Sequence, residues 1–179
     1  MKVVSSTLTR GTKKTIFINK TITFMANNPE FYKFSINVLE PAICSELNKL
    51  YRSAITFEHS SDYDDTKRKI DIWIKPLQQN SLHLSVGSIH GLDVKTIEPV
   101  NNRGIWTNFS LSKETFSVPA KDFLLFAYPT EKRISCLYNC YLCKVDSVQR
   151  LKLRDMGNYY LCPLSGIKSI AMKTFSLYI

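Results

Sequence analysis

The sequence predicts an α+β fold, a central mixed β-sheet with flanking helices, on three observations. Apolar residues recur at helical spacing over 29–53, several later runs alternate apolar and polar residues with a period of two, and "FLLFA" is a continuous apolar run of strand length. The 179 residues, 44% hydrophobic and 22% charged, are enough for one domain, 1–179, with a sizeable core. Six glycines, seven prolines and no fixed-period repeat argue against a solenoid or a low-complexity scaffold.

The elements follow in chain order. "KTIFINKTITFM", 14–25, reads as a hairpin or short strand with a polar kink at Asn19 and Lys20. Phe31, Phe34, Ile36, Val38, Leu39, Ile43, Leu47 and Leu50 then share helical spacing, with Pro41 starting or interrupting the helix. A polar connection leads to "IDIWIK", where Ile70, Ile72 and Ile74 take one face and Asp71, Trp73 and Lys75 the other. "LHLSVGSI" and "GLDVKTI" read as two more strands, turning at 78–81 and at His90 and Gly91. "IWTNFSL" is a strand, "SKETF" a turn or short helix, and "KDFLLFAYP" a buried strand bounded by Pro119 and Pro129. "ISCLYNCYLCKV" reads as two apolar strands around a turn at Asn139, and "DSVQRLKL" as a short helix with Asp146 as N-cap. The tail, 157–179, adds one or two strands.

Charge narrows the function. Lys and Arg number 24 against 15 Asp and Glu, a formal +9, which suits a polyanionic partner. Lys13, Lys14 and Lys20 lie in a basic N-terminal segment, 1–28, and Arg150, Lys152 and Arg154 in a second cluster; with Arg103 these are the candidate phosphate contacts. Cys136, Cys140, Cys143 and Cys162 have a spacing that invites zinc, but they sit in apolar strands where cysteine behaves as a small hydrophobe. No run reaches the roughly 18 apolar residues a membrane span needs, and the N-terminus lacks a signal-peptide core, so the expectation is a cytoplasmic protein with no membrane partner. Phosphate-loop, dinucleotide and serine-elbow motifs are absent from the sequence.

The chemistry concentrates in 71–95. Side chains two apart on a strand share a face, so Asp93 and Lys95 project together while Leu92 and Val94 face the core. If the Asp71 strand lies alongside, two carboxylates converge on a site suited to Mg²⁺ or Mn²⁺, with Lys95 to orient or activate the attacking water. Without a metal, a lysine beside two buried acids is costly unless the three neutralise one another.

An acid in one strand followed by Asp-x-Lys in the next resembles the PD-(D/E)xK, or restriction-endonuclease-like, nuclease superfamily. "SSDYDDTKRKID", "LDVKT", "WTNF" and "DFLLFAYP" are similar to small phage or mobile-element members of it. The resemblance covers about 40–148, leaving 1–28 and 157–179 as additions to the core. It implies a metal-dependent DNA endonuclease with Asp71 and Asp93 as metal ligands, Lys95 as catalytic cation, and a helix-borne acid, Glu46, with Glu40 or Glu58 as alternatives. It further implies a double-stranded DNA partner and compatibility with a homodimer, and a working nuclease needs the Asp71 and Asp93 carboxylates within about 5 Å of each other and open to solvent, which separates it from a non-enzymatic protein. The chain departs from the pattern at Ile70, where the family's proline would stand, and at Asn108 in place of a further acid. Two other functions satisfy the same composition: a non-enzymatic phage-type inhibitor or interaction protein on a nuclease-like scaffold, docking on an acidic host protein, and a nucleic-acid-binding protein without chemistry.

Overall fold

The computed structural model describes residues 29–61, 63–97, 107–118, 121–133 and 135–179. The expected strand or hairpin at 14–25, and with it Lys13, Lys14, Lys20 and Arg103, lies outside the described residues.

A helical stretch opens the described chain: α1 (Pro29–Phe34), a π-helical segment (Ser35–Leu39) and α2 (Glu40–Tyr51) run on from one another. Pro41, which has no N–H to bond back along the helix, stands just after the π-helical segment, where the regular bonding is already interrupted. The wider turn before it brings Ser35 over Glu40, five residues on, so that the Ser35 hydroxyl donates to Glu40 Oε1 at 3.2 Å.

Six strands form the main sheet. β1 (Ile55–His59), β2 (Ile72–Pro76) and β3 (His90–Thr96) make an antiparallel run, β5 (Lys121–Pro129) lies parallel to β3, and β6 (Leu137–Lys144) and β9 (Lys173–Tyr178) complete the order β1-β2-β3-β5-β6-β9. β4 (Asn108–Ser112), β7 (Arg154–Asp155) and β8 (Tyr159–Pro163) form a second, three-stranded sheet in the order β4-β8-β7. Short helices α3 (Val145–Gln149) and α4 (Leu164–Ile170) complete the described fold, which is α+β as the sequence predicts.

The main sheet is covered on both faces. On one, Leu39, Ile43 and Leu47 pack with Phe57, Ile72, Leu92, Phe123 and Leu125. On the other, Leu124, Phe126, Tyr141 and Cys143 pack with Phe109, Leu111, Val148, Cys162 and Ile167. β5 therefore faces apolar neighbours both ways, which is why its sequence is an unbroken apolar run.

Three local readings of the sequence are corrected. Residues 82–89 form turns, not a strand, because the Asn80 side chain captures the backbone: its amide donates to the carbonyls of Gln78 and Leu84, and its oxygen accepts from the N–H groups of Leu82 and Leu84. "CLYNCYLCK" holds one strand, β6, with Asn139 mid-strand between Tyr128 and Ser176, where its side-chain oxygen accepts from the Ser176 hydroxyl at 2.9 Å. Lys144, not Asp146, precedes α3, and Asp146 stands in its first turn, where the helix dipole favours its negative charge.

One irregularity positions the site. Between β3 and β5, Gly91 pairs with Lys121 but Leu92 pairs with Phe123, so Asp122 is an extra residue, a β-bulge. Without it, alternation along β5 would send Lys121 to the face of Phe123 and Leu125. With it, Lys121 is turned to the face of Gly91 and Asp93.

Candidate functional site

Asp71 and Asp93 face one another across two strands. The β2–β3 register sets Ile72 against Leu92, and Asp71, just before β2, is tied to β3 through the Leu92 carbonyl and the Val94 N–H, which leaves its carboxylate beside that of Asp93. Ladder pairing stops there because the Asp71 carboxylate, through Oδ2, accepts the N–H of Val94. The Asp71 backbone still donates to the Leu92 carbonyl at 2.9 Å. Like charges opposite one another destabilise a sheet, so the pair needs cations.

Two lysines supply them. Lys95 Nζ lies 2.6 Å from Asp93 Oδ1, as the period of two on β3 predicts. Lys121 Nζ lies 2.7 Å from Asp93 Oδ2 and is the group that sequence reasoning misses. The lysines differ in access: the Lys95 side chain is 24% exposed and that of Lys121 is 1% exposed. Both carboxylates are buried, Asp71 at 7% and Asp93 at 2% exposure, which corrects the expectation of acids open to solvent. Ammonium groups stand at Asp93 where water would be.

The electrostatics match that enclosure. Burial, with the charges of Asp93 and Glu40 added, pushes the Asp71 carboxyl well above the usual carboxylate range. Burial likewise lowers Lys121, against the pull of Asp93.

Of the three helix or strand acids considered, Glu40 is the one that bears on Asp71. It is buried, raised by that burial, and its Oε2 lies 3.5 Å from His59 Nε2. Glu46 is paired instead with Lys49 at 3.1 Å, and Glu58 is ion-paired with Lys75. Asn108 is half-buried and donates to Thr107 Oγ1, with no hydrogen bond to either acid. Arg150, Lys152 and Arg154 are exposed and make no ion pair among the described residues. All five cysteines are free and buried. Cys136 and Cys140 belong to one core and Cys143 and Cys162 to the other, so the four do not converge, and burial pushes Cys140, Cys143 and Cys162 to about 12.

Among the described residues no set of three His, Cys, Asp or Glu side chains comes together as a metal site. Two carboxylates nevertheless fit Mg²⁺, which keeps several waters and takes one or two carboxylates plus substrate phosphate. Ser60 is tied to Asp71 by its backbone N–H, which donates to the Asp71 carbonyl, and its buried hydroxyl lacks a hydrogen-bond partner among the described residues.

A separate chain runs Ser88–His90–Asp122: Ser88 Oγ lies 2.7 Å from His90 Nε2, and His90 Nδ1 2.7 Å from Asp122 Oδ2. Ser88 has one hydroxyl proton, and the Ser85 carbonyl, 2.6 Å away, competes for it. His90 packs edge-on against Phe123, on the face opposite Asp93, so it does not join the acid site. A shallow groove of about 610 Å³ lies along α2, lined by Pro41, Cys44, Asn48 and His59 among others, and not by Asp71 or Asp93.

No helix among the described residues is long and apolar enough to cross a membrane. No protein-family model, no curated protein and no solved structure matches the chain.

Proposed function

We propose that the chain is a metal-dependent DNA endonuclease with a restriction-endonuclease-like core, hydrolysing phosphodiester bonds with Asp71, Asp93 and Lys95. One observation carries this reading: the carboxylates of Asp71, just before β2, and Asp93, in β3, come together on one face of the sheet, with a lysine on that face two residues after Asp93. A core strand gains nothing from such a set, since desolvating the charges costs more than an apolar replacement would. The order of helix, acid strand, D-V-K strand and parallel apolar strand supports the same family core.

In this reading Asp71 and Asp93 hold Mg²⁺ or Mn²⁺, with Glu40 in place of Glu46 as the helix acid. The ion, when bound, acidifies water and neutralises charge on the phosphate. Lys95, the more exposed cation, orients the attacking water and meets the phosphodiester. Asp71, with Oδ2 fixed by the Val94 N–H, presents its other oxygen in one direction. Arg150, Lys152 and Arg154, with the basic residues at 1–28 and Arg103, grip the backbone. The test is incubation of supercoiled plasmid with Mg²⁺ or Mn²⁺, with and without EDTA. Nicking or linearisation that EDTA and Asp71→Asn both abolish is the expected result.

A second reading has its own observation: both oxygens of Asp93 are already ion-paired, so the cluster is complete without a ligand. On that reading the chain is a non-enzymatic interaction protein on a nuclease-like scaffold. Plasmid left intact by folded protein in both metals, with no DNA retained at low salt, favours it.

A further inference from the structure

The two lysines on Asp93 are not equivalent. Lys95 reaches Oδ1 from its own strand and keeps contact with solvent; Lys121 reaches Oδ2 from inside the fold, by way of a bulge whose extra residue turns it onto that face. Bulges recur beside active sites, where they re-aim a side chain. Asp71, the other acid, feels the charge of Lys95 among its neighbours.

From this asymmetry we infer that Lys121 is a positioning residue for the nuclease site: it clamps Asp93 through Oδ2 permanently, and so dedicates Oδ1 to exchange between Lys95 and an incoming divalent cation. The inference rests on the nuclease reading above. The cluster holds two acids and two lysines; a cation entering at Oδ1 displaces an ammonium that has solvent to move into, whereas displacing Lys121 would strand a charge in the interior. Lys121 has no such exit. The exchange moves no electrons and breaks no bond, and the released Lys95 becomes available to water and phosphate.

Wild-type protein carrying lysine labelled with ¹³C at Cε provides the test, with Lys95→Arg and Lys121→Arg assigning the two signals. Titrated with Mg²⁺, the Lys95 signal should shift and the Lys121 signal should hold still. A shift of the Lys121 signal overturns the clamp while leaving metal binding at Asp93 intact. If neither signal moves, no cation enters at Asp93, and the nuclease reading falls together with the inference. In cleavage assays Lys121→Met should lower kcat by about ten- to hundredfold with the KM for DNA little changed, as expected when a ligand is misplaced by a fraction of an ångström. Lys121→Arg should restore most of it; a Lys121→Met protein with wild-type kcat also overturns the proposal. Should Lys121→Met fail to fold, the titration of the wild-type protein still decides.

Discussion

The same face of the main sheet is built in two ways. Over β5 and β6 it presents Leu124, Phe126, Tyr141 and Cys143, covered by Phe109, Leu111 and Ile167. Over β2 and β3 it presents Asp71, Trp73, Asp93 and Lys95, joined by Lys121. Asp71, Asp93 and Lys121 are buried like the apolar half, yet one half is held by contact area and the other by charge balance. Apolar packing tolerates loss of a member roughly in proportion to the volume removed, whereas a buried charge set fails as a unit when one sign is taken away. The comparison therefore predicts how each half responds to substitution.

The largest effects should come from single truncations. Asp93→Ala leaves Lys121 buried without its partner and should cost about 3–5 kcal/mol, and Phe126→Ala should cost about as much through its cavity. Urea unfolding measures both. The halves should separate on repair: Asp93→Leu combined with Lys121→Met, an apolar pair of similar volume, should recover most of the loss, within about 1–2 kcal/mol of the wild type. If the double variant is as unstable as Asp93→Ala, the charge-balance account of this half is wrong.

A smaller effect separates the halves by pH. The Asp71 carboxyl is raised in the folded state, so its protonated form is favoured there, and stability is lost as pH rises from the ordinary aspartate range through that raised value. Asp71→Asn should match the wild type near pH 4 and gain on it above, with Tm rising by about 2–4 °C for each kcal/mol recovered. Phe126→Ala should show no such trend. A constant Tm offset for Asp71→Asn between pH 4 and 8 would break the comparison.

The smallest change concerns the exposed cations. Reversing charge at Arg150 and Lys152 should alter stability by no more than about 0.5 kcal/mol, and should reduce the slope of log K against log salt for duplex DNA by about one for each phosphate no longer neutralised. An unchanged slope would remove this cluster from the DNA interface.

How much of this is legible in sequence depends on whether local periodicity survives. The face shared by Asp93 and Lys95 follows from the period of two on a regular strand, and the two-sided burial of β5 from its unbroken apolar run. Lys121 is hidden because its direction depends on the bulge at Asp122, and alternation counted back from Phe123 assigns it to the wrong face. Residues 82–89 alternate like a strand, but the Asn80 side chain satisfies the backbone groups a ladder would use, a competition that spacing cannot display. Glu40 and Glu46 are hard to rank from a helical count because both border the buried row of Ile43 and Leu47 on α2, and which of them nears Asp71 is set by how the helix packs on the sheet.

The π-helical segment before α2 has a consequence for how the chain tolerates insertion and deletion. A π turn is in effect one surplus residue absorbed by a helix. Removing one residue from Ser35–Leu39 would return the helix to regular winding and rotate α1 by about 100° against α2, since each residue turns the chain by that angle. Phe34, whose ring stacks 6.5 Å from that of Tyr138, would swing off the sheet, while Ile43 and Leu47 kept their seats. The helix thus works as two gears on one shaft, with a slip clutch of five residues that lets α1 be re-timed without moving the acid-bearing strands beneath α2.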